Sequence, residues 1–238
     1  MKKDFVNYAH RGASEYAPEN TMSSFRLGIE MGANGIETDV QLTRDGIPVL
    51  FHDDTLTRVT GESGTIADYT YLELQKFWVK KGDKKDKIVK LEDFFLEFAD
   101  KNLTFAIELK VEGTARYVYE LGEKYGILDK IVATSFIYSE IIEYLRLSPK
   151  AEVGYLAYVS DKSEIPDILD KMKEDGVVEF CPEAKFVDYD SVKEWHDLGF
   201  RVRAWGVYDE DLMKKVYASG ADGMTVNFPD RLTALING

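Results

Sequence analysis

An α/β protein closed as a TIM (β/α)8 barrel is predicted by three features of the chain. Eight short runs rich in β-branched and aromatic residues alternate with longer stretches of helical periodicity, and glycine recurs near the ends of those stretches. Regular βα alternation implies a parallel sheet with helices outside it, either open or rolled up, and eight strands favour the barrel. The length of 238 residues is close to the ~250 typical of one such barrel, so a single domain over residues 1–238 is expected.

The strands are read over residues 5–10, 35–41, 104–110, 131–136, 152–158, 177–182, 201–207 and 222–227. Between them, Met22, Phe25 and Ile29 share a helical face, as do Leu91, Phe94, Phe95 and Phe98, and then Ile165, Ile168, Leu169 and Met172. Gly32, Gly126, Gly176, Gly199 and Gly220 stand where a left-handed C-cap would turn the chain toward the next strand. About 60 residues separate the second strand from the third, too many for one loop and one helix, which places a small insertion at approximately residues 43–90. Within it, residues 41–51 read as a β-hairpin turning at Asp45-Gly46, which would carry His52 back toward the strand end bearing Asp39. The basic run from Lys80 to Lys87 reads as a solvated loop.

A hydrophobic share of 45% and a charged share of 31% fit an ordinary folded domain. The net charge of −13 argues against nucleic acid as a partner, because such binding draws its affinity from clustered Lys and Arg. Chemistry on an anion would need positive charge placed locally, from a metal or from Arg11. Cys181, the only cysteine, cannot form an intramolecular disulfide and suits a reducing compartment as a buried structural thiol. Lys2 and Lys3 precede no apolar run of leader length, and no stretch approaches the ~20 apolar residues of a membrane span, so a cytoplasmic location without stable membrane insertion is expected.

Strand alternation puts residues two apart on one face. Glu37 and Asp39 therefore point the same way, and so do Glu108 and Lys110 at the end of the third strand. Three carboxylates would converge from neighbouring strands, and crowded carboxylates repel unless a cation lies among them. An all-oxygen set suits Mg2+ or Ca2+. Structural ion pairs with Lys110 and Arg11 are the competing reading, and the charge pattern alone does not separate the two. His10 ends the first strand, where barrel enzymes place catalytic groups, and the hairpin would return His52 to the same rim, giving two candidates for acid/base work. Arg11 could hold a phosphate through its planar fork and Lys110 as a point charge. Trp205, near the end of the seventh strand, is either a pocket wall or a core aromatic, and His196 is expected to face solvent from an outer helix.

These residues, in this order, resemble the glycerophosphodiester phosphodiesterase family over nearly the whole chain. The resemblance is carried by His10-Arg11-Gly12, Pro18-Glu19-Asn20-Thr21, Glu37-Thr38-Asp39-Val40-Gln41, Thr43-Arg44-Asp45-Gly46, His52-Asp53-Asp54-Thr55-Leu56 with Arg58, Glu108-Leu109-Lys110, and the run from Asp222 to Asp230. It implies a TIM barrel with an insertion after the second strand and hydrolysis of a small glycerophosphodiester to sn-glycerol 3-phosphate, by way of a cyclic phosphate. It also implies that Glu37, Asp39 and Glu108 are metal ligands and that His10 and His52 form the acid/base pair. Arg11 and Lys110 would contact the phosphate, and Trp205 would line the glycerol end. The run Pro18-Glu19-Asn20-Thr21 reads as chiefly architectural, opening the first helix with Glu19 near its positive end.

Two positions depart from the family pattern. Trp205-Gly206-Val207-Tyr208 replaces the usual Trp-Thr-Val-Asn, which bears on substrate choice. Lys90-Leu91-Glu92 replaces a Thr-Leu-Glu run and loses an N-cap. A phospholipase-like activity on lysophospholipids is the second reading, kept open by Phe77-Trp78-Val79 beside the basic run. A non-catalytic phosphodiester-binding barrel is the third, and the presence of all five metal-ligand and histidine positions speaks against it.

Overall fold

Each of the eight runs forms a strand in the computed structural model, which describes residues 5–238. The lysines Lys2 and Lys3 lie outside the described residues. The strands are β1 (Val6–His10), β2 (Gly35–Leu42), β3 (Thr104–Leu109), β4 (Ile131–Ser135), β5 (Glu152–Ala157), β6 (Glu179–Pro182), β7 (Arg201–Val207) and β8 (Gly223–Val226). All neighbours are parallel, and β1 pairs with both β2 and β8, which closes the barrel. The register sets Tyr8 opposite Gly35, His10 opposite Glu37 and Asp39 opposite Glu108.

Inside the barrel the alternation that brings charge to the mouth also brings Tyr8, Glu179 and Arg203 into the interior, each nearly inaccessible to solvent. Two glycines make room for them. A Cβ at Gly35 would approach the Tyr8 ring to 2.6 Å, and one at Gly154 would lie 3.0 Å from the Cys181 sulfur and 3.1 Å from Glu179 Oε1. Cys181 is buried as expected, packed beside the Glu179–Arg203 ion pair.

The larger apolar core lies outside the strands, under the helices. These are α1 (Met22–Glu30), α2 (Leu91–Phe98), α3 (Thr114–Tyr125), α4 (Tyr138–Leu147), α5 (Ile165–Asp175), α6 (Tyr189–Asp197), α7 (Glu210–Ser219) and α8 (Pro229–Asn237). The apolar stripe of α2 is wholly buried, with Phe94 edge-on to Phe25 at 4.9 Å and to Phe105 at 5.4 Å between ring centroids. Lys90 caps α2 without a side-chain bond, as the departure at that position anticipates, whereas Asp188 and Asp209 cap α6 and α7 through Ser191 N and Leu212 N. All five glycines singled out in the sequence have positive φ.

Between β2 and α2 the predicted hairpin is present. Pro48–Leu50 runs antiparallel to the end of β2 and pairs in turn with Val89–Lys90. Gly46, at φ +74°, donates its backbone N–H to Thr43 O. Val49, Phe51, Leu56, Val59 and Leu74 give this segment a small core of its own. The basic run is not a loop: Val79–Lys81 and Lys84–Asp86 form an antiparallel hairpin, anchored by buried Val79. Lys84 Nζ donates to Tyr16 O, Lys85 Nζ lies 4.7 Å from the centre of the Trp78 ring, and Lys87 Nζ lies 3.5 Å from the same centre and donates to Gln75 O and Phe77 O. Among the described residues, no helix is long and apolar enough to cross a membrane.

Truncating Phe94 to alanine should cost about 3–5 kcal/mol in urea unfolding, because the hole would open inside a packed aromatic cluster. Leu96→Ala, on the exposed face of the same helix, should stay within about 0.5 kcal/mol of the parent.

Candidate active site

The loop after β1 is built under strain. Arg11 is held at φ +54° and Asn20 at φ +55°, conformations that cost roughly 1–3 kcal/mol each where they are not glycine. The chain pays this because Gly12 lies against Ser24, where a Cβ would approach to 2.4 Å, and Ser24 Oγ donates to Arg11 O. The turn leaves the Arg11 side chain directed into the barrel mouth. Its Nε is 3.3 Å from Asp39, its Nη1 is 2.9 Å from Glu19, and its backbone N–H reaches Glu37 at 3.1 Å.

Glu37, Asp39 and Glu108 converge as the alternation predicts, each buried and each offering an oxygen within 4.8 Å of the others. Burial and repulsion from Asp39 raise the Glu37 carboxyl well above its usual range, against the pull of Arg11. Glu108 is pushed up to about 7 by the same two causes, although Lys110 Nζ lies 2.9 Å away. Asp39 goes the other way: burial alone would raise it, but Arg11, then His52 and Lys110, hold it below the usual carboxylate range. Asn20 Nδ2 donates to one Asp39 oxygen, and the other oxygen is buried without a hydrogen bond. An all-carboxylate set with an unpaired buried oxygen fits a hard divalent cation. Glu19, His52 and Asp53 form a second such group, but the Arg58 guanidinium already bonds both of its carboxylates.

His10 Nδ1 lies 2.6 Å from Asn227 Oδ1, which also accepts from Ser14 Oγ, so the network assigns the ring proton to Nδ1 and leaves Nε2 toward Glu37 at 3.9 Å. Burial first, then the Arg11 charge, lowers the His10 pKa to about 3, so the ring is neutral near neutral pH. His52 comes to the same cavity because Gln41 Nε2 donates to the carbonyls of Phe51, His52 and Asp53, gripping the returning hairpin. Its Nδ1 is 2.7 Å from Asp53 Oδ1. Arg58 bonds Asp53 at 2.6 and 2.8 Å and Glu19 at 2.7 Å through two nitrogens, so one chain of ion pairs joins His52 to Arg11.

A cavity of about 190 Å³ opens between these groups and an aromatic wall. His10, Arg11, Glu37, His52 and Glu108 line one side, and Phe136, Leu156, Trp205 and Tyr208 the other. Trp205 is a wall residue and not core: Phe136 meets it edge-on at 5.2 Å, Tyr158 stacks at 6.5 Å, and its Nε1 donates to Cys181 O. Gly206 lets the Tyr208 hydroxyl fold back to 3.1 Å from where a Cβ would sit. Lys110 borders an adjoining groove with His52 and Asp54.

All eight residues singled out in the sequence thus meet at one mouth. One expectation needs correction. Glu19 does not serve the positive end of α1; its carboxylate is taken by Arg11 and Arg58, and Thr21 caps the helix. His196 faces solvent from α6 as expected, with its Nε2 2.8 Å from Asp222. Asn20, Gln41, Asp53, Arg58 and Asn227 were missed as site residues. Each lies inside or beside a motif that had been read, but what each one touches depends on contacts between separate loops.

The family model for glycerophosphoryl diester phosphodiesterases matches residues 10–231. A glycerophosphodiester phosphodiesterase of Bacillus altitudinis is 31% identical over 241 residues, spanning 94% of this chain and 95% of its own. A solved structure from Agrobacterium tumefaciens has the same fold, with a TM-score of 0.90 at 20% identity over 98% of this chain and 97% of that one. A phosphodiesterase from Oleispira antarctica, solved in complex with the product sn-glycerol-3-phosphate, gives a TM-score of 0.82 at 26% identity over 98% and 97% of the two chains. Matched from the first histidine loop to the last helix, the chain belongs to the glycerophosphoryl diester phosphodiesterase family.

Proposed function

We propose that the protein hydrolyses glycerophosphodiesters to sn-glycerol 3-phosphate and an alcohol, with Mg2+ or Ca2+ and two histidines. The observation that carries this reading is the meeting of Glu37, Asp39 and Glu108 with His10 and His52 around one cavity. The product bound to the Oleispira antarctica relative supports it. A cation held by the three carboxylates would supply Lewis-acid charge to the phosphodiester oxygens. Arg11 and Lys110 orient the phosphate, Arg11 as a rigid fork and Lys110 as a point charge.

The two imidazoles divide the proton work. His10, kept neutral by its burial, accepts at Nε2 the proton of the glycerol hydroxyl beside the ester, whose oxygen bonds to phosphorus. His52 gives its Nε2 proton to the departing alcohol as the P–O bond breaks, its ring oriented by the Asp53 carboxylate on Nδ1. Water then opens the cyclic phosphate with the histidine roles reversed. The same proposal takes the barrel and its insertion as one domain, and places it in the cytoplasm, where a lone buried Cys181 suits the reducing conditions.

A lysophospholipid substrate is the second reading, favoured by exposed Phe136, Tyr158 and Tyr208 around Trp205, which could receive an acyl chain. Release of lysophosphatidic acid from lysophosphatidylcholine faster than glycerol 3-phosphate from glycerophosphocholine would establish it.

The primary assay is mass spectrometry of glycerophosphocholine and glycerophosphoethanolamine incubated with protein and either metal; no glycerol phosphate from any headgroup would refute the proposal. His10→Ala and His52→Ala should each lower kcat by roughly 10²–10⁴ while the melting temperature moves by no more than about 2 °C. Glu37→Gln should raise the metal concentration needed for half-maximal rate, and an unchanged titration would remove Glu37 from the ligand set. Arg58→Ala, which frees Asp53 and Glu19 together, should cost roughly ten- to a hundredfold in kcat with a smaller change in KM.

A further inference from the structure

Arg203 is the charged group in the cavity wall that the proposed reaction leaves unused. It lies on β7, two residues before Trp205, and lines the cavity although its side chain is only 2% exposed. Nε donates to Glu179 Oε1 at 2.6 Å, Nη2 reaches the Cys181 sulfur at 3.3 Å, and the Tyr8 ring centre is 5.2 Å from Cζ. Nη1 makes no hydrogen bond among the described residues. A guanidinium clamped through two nitrogens and free at the third is a fixed donor with little entropy left to lose. Burying such a pair seldom adds stability over apolar packing, so its place in the wall of a reaction cavity calls for a ligand.

The placement says which ligand. Around the barrel, β7 lies opposite β2 and β3, so a phosphodiester held by Arg11 and the carboxylates would extend one arm across the cavity toward Arg203 and Trp205. Glu179 cancels the charge of Arg203, which leaves a directed donor and no net field for a second anion. That combination suits a neutral hydroxyl, with the Trp205 ring against the carbon chain. We propose that Arg203 Nη1 donates to the free terminal hydroxyl of the glycerol arm, making Arg203 the residue that selects glycerol over other alcohols. This rests on the phosphodiesterase reading of the site.

The experiment compares kcat/KM for glycerophosphocholine and for its analogue in which the terminal CH2OH is CH3, leaving the hydroxyl beside the ester intact. The unmodified protein should prefer the glycerol substrate by roughly ten- to a hundredfold, the worth of one hydrogen bond to a charged donor. In the charge-balanced pair Arg203→Met with Glu179→Gln, that preference should shrink below about threefold even if both rates fall. A preference that survives in the pair, or is absent from the unmodified protein, overturns the proposal. Should the pair fail to fold, calorimetric titration of the unmodified protein with glycerol 3-phosphate and with propane-1,2-diol 1-phosphate decides, equal affinities overturning it and a tenfold preference for glycerol 3-phosphate supporting it. Failure to turn over either diester would strike the phosphodiesterase reading itself, whereas equal turnover of both strikes only the role of Arg203.

Discussion

Three carboxylates that would repel one another are held together at the mouth of a closed barrel, and the rest of the site is arranged around that repulsion. Parallel pairing of β2 with β3 puts Asp39 directly opposite Glu108, and the strand repeat adds Glu37 on the same face. None of the three can be hydrated as it would be in water, so Glu37 and Glu108 rise toward the neutral form while Asp39 stays ionised against Arg11. Arg11 can do this only from a left-handed backbone position, which the close packing of Gly12 on Ser24 secures. A divalent cation among the acids would favour their charged forms together, so metal binding and the strained first loop serve the same end.

The insertion is joined to the barrel by strand pairing with β2, by Leu50 and Val89 in the main core, and by polar contacts at the mouth. Phe51, Leu56 and Val59 also form a small core of their own, distinct from the main one. At the mouth the insertion is held by Phe51 N on Asp39 O, by Gln41 on three successive carbonyls and by Arg58 bridging Asp53 to Glu19. Through that bridge the position of His52 depends on the loop that carries Arg11. An exposed ion pair alone contributes little to stability, but a connected set fixes His52 relative to Arg11, so its effect falls on the geometry of the mouth.

Below the mouth the interior is not the aliphatic stack common in such barrels. Tyr8, Glu179, Cys181 and Arg203 fill it, and Gly35 and Gly154 supply the space. A polar filling beneath the site is costly for stability, and it sets a directed donor into a cavity whose upper wall is aromatic. The two halves of the cavity therefore differ in character: carboxylates and cations on β1 to β3, rings and a neutralised ion pair across from them.

The strand order, the helix faces, the glycine caps and the hairpin at Asp45-Gly46 were legible in the sequence, because periodicity and turn chemistry are local. So was the convergence of the eight candidate residues on one side of the barrel, since barrel strands present their ends to one mouth and the motifs mark those ends. The basic run was misread because charge pattern does not show that Val79 is buried and Lys87 drawn over Trp78. Glu19 was misassigned because a residue beside a helix start can as well face a neighbouring loop. The sequence by itself determined which groups could act and on which strand ends they stand. Only the tertiary structure decided their partners: that Arg58 joins His52 to Arg11, that Asn227 orients His10, and that Arg203 meets the cavity with one nitrogen free. Those contacts run between segments far apart in the chain, and hydrogen bonding depends on distance and direction that no spacing along the sequence encodes.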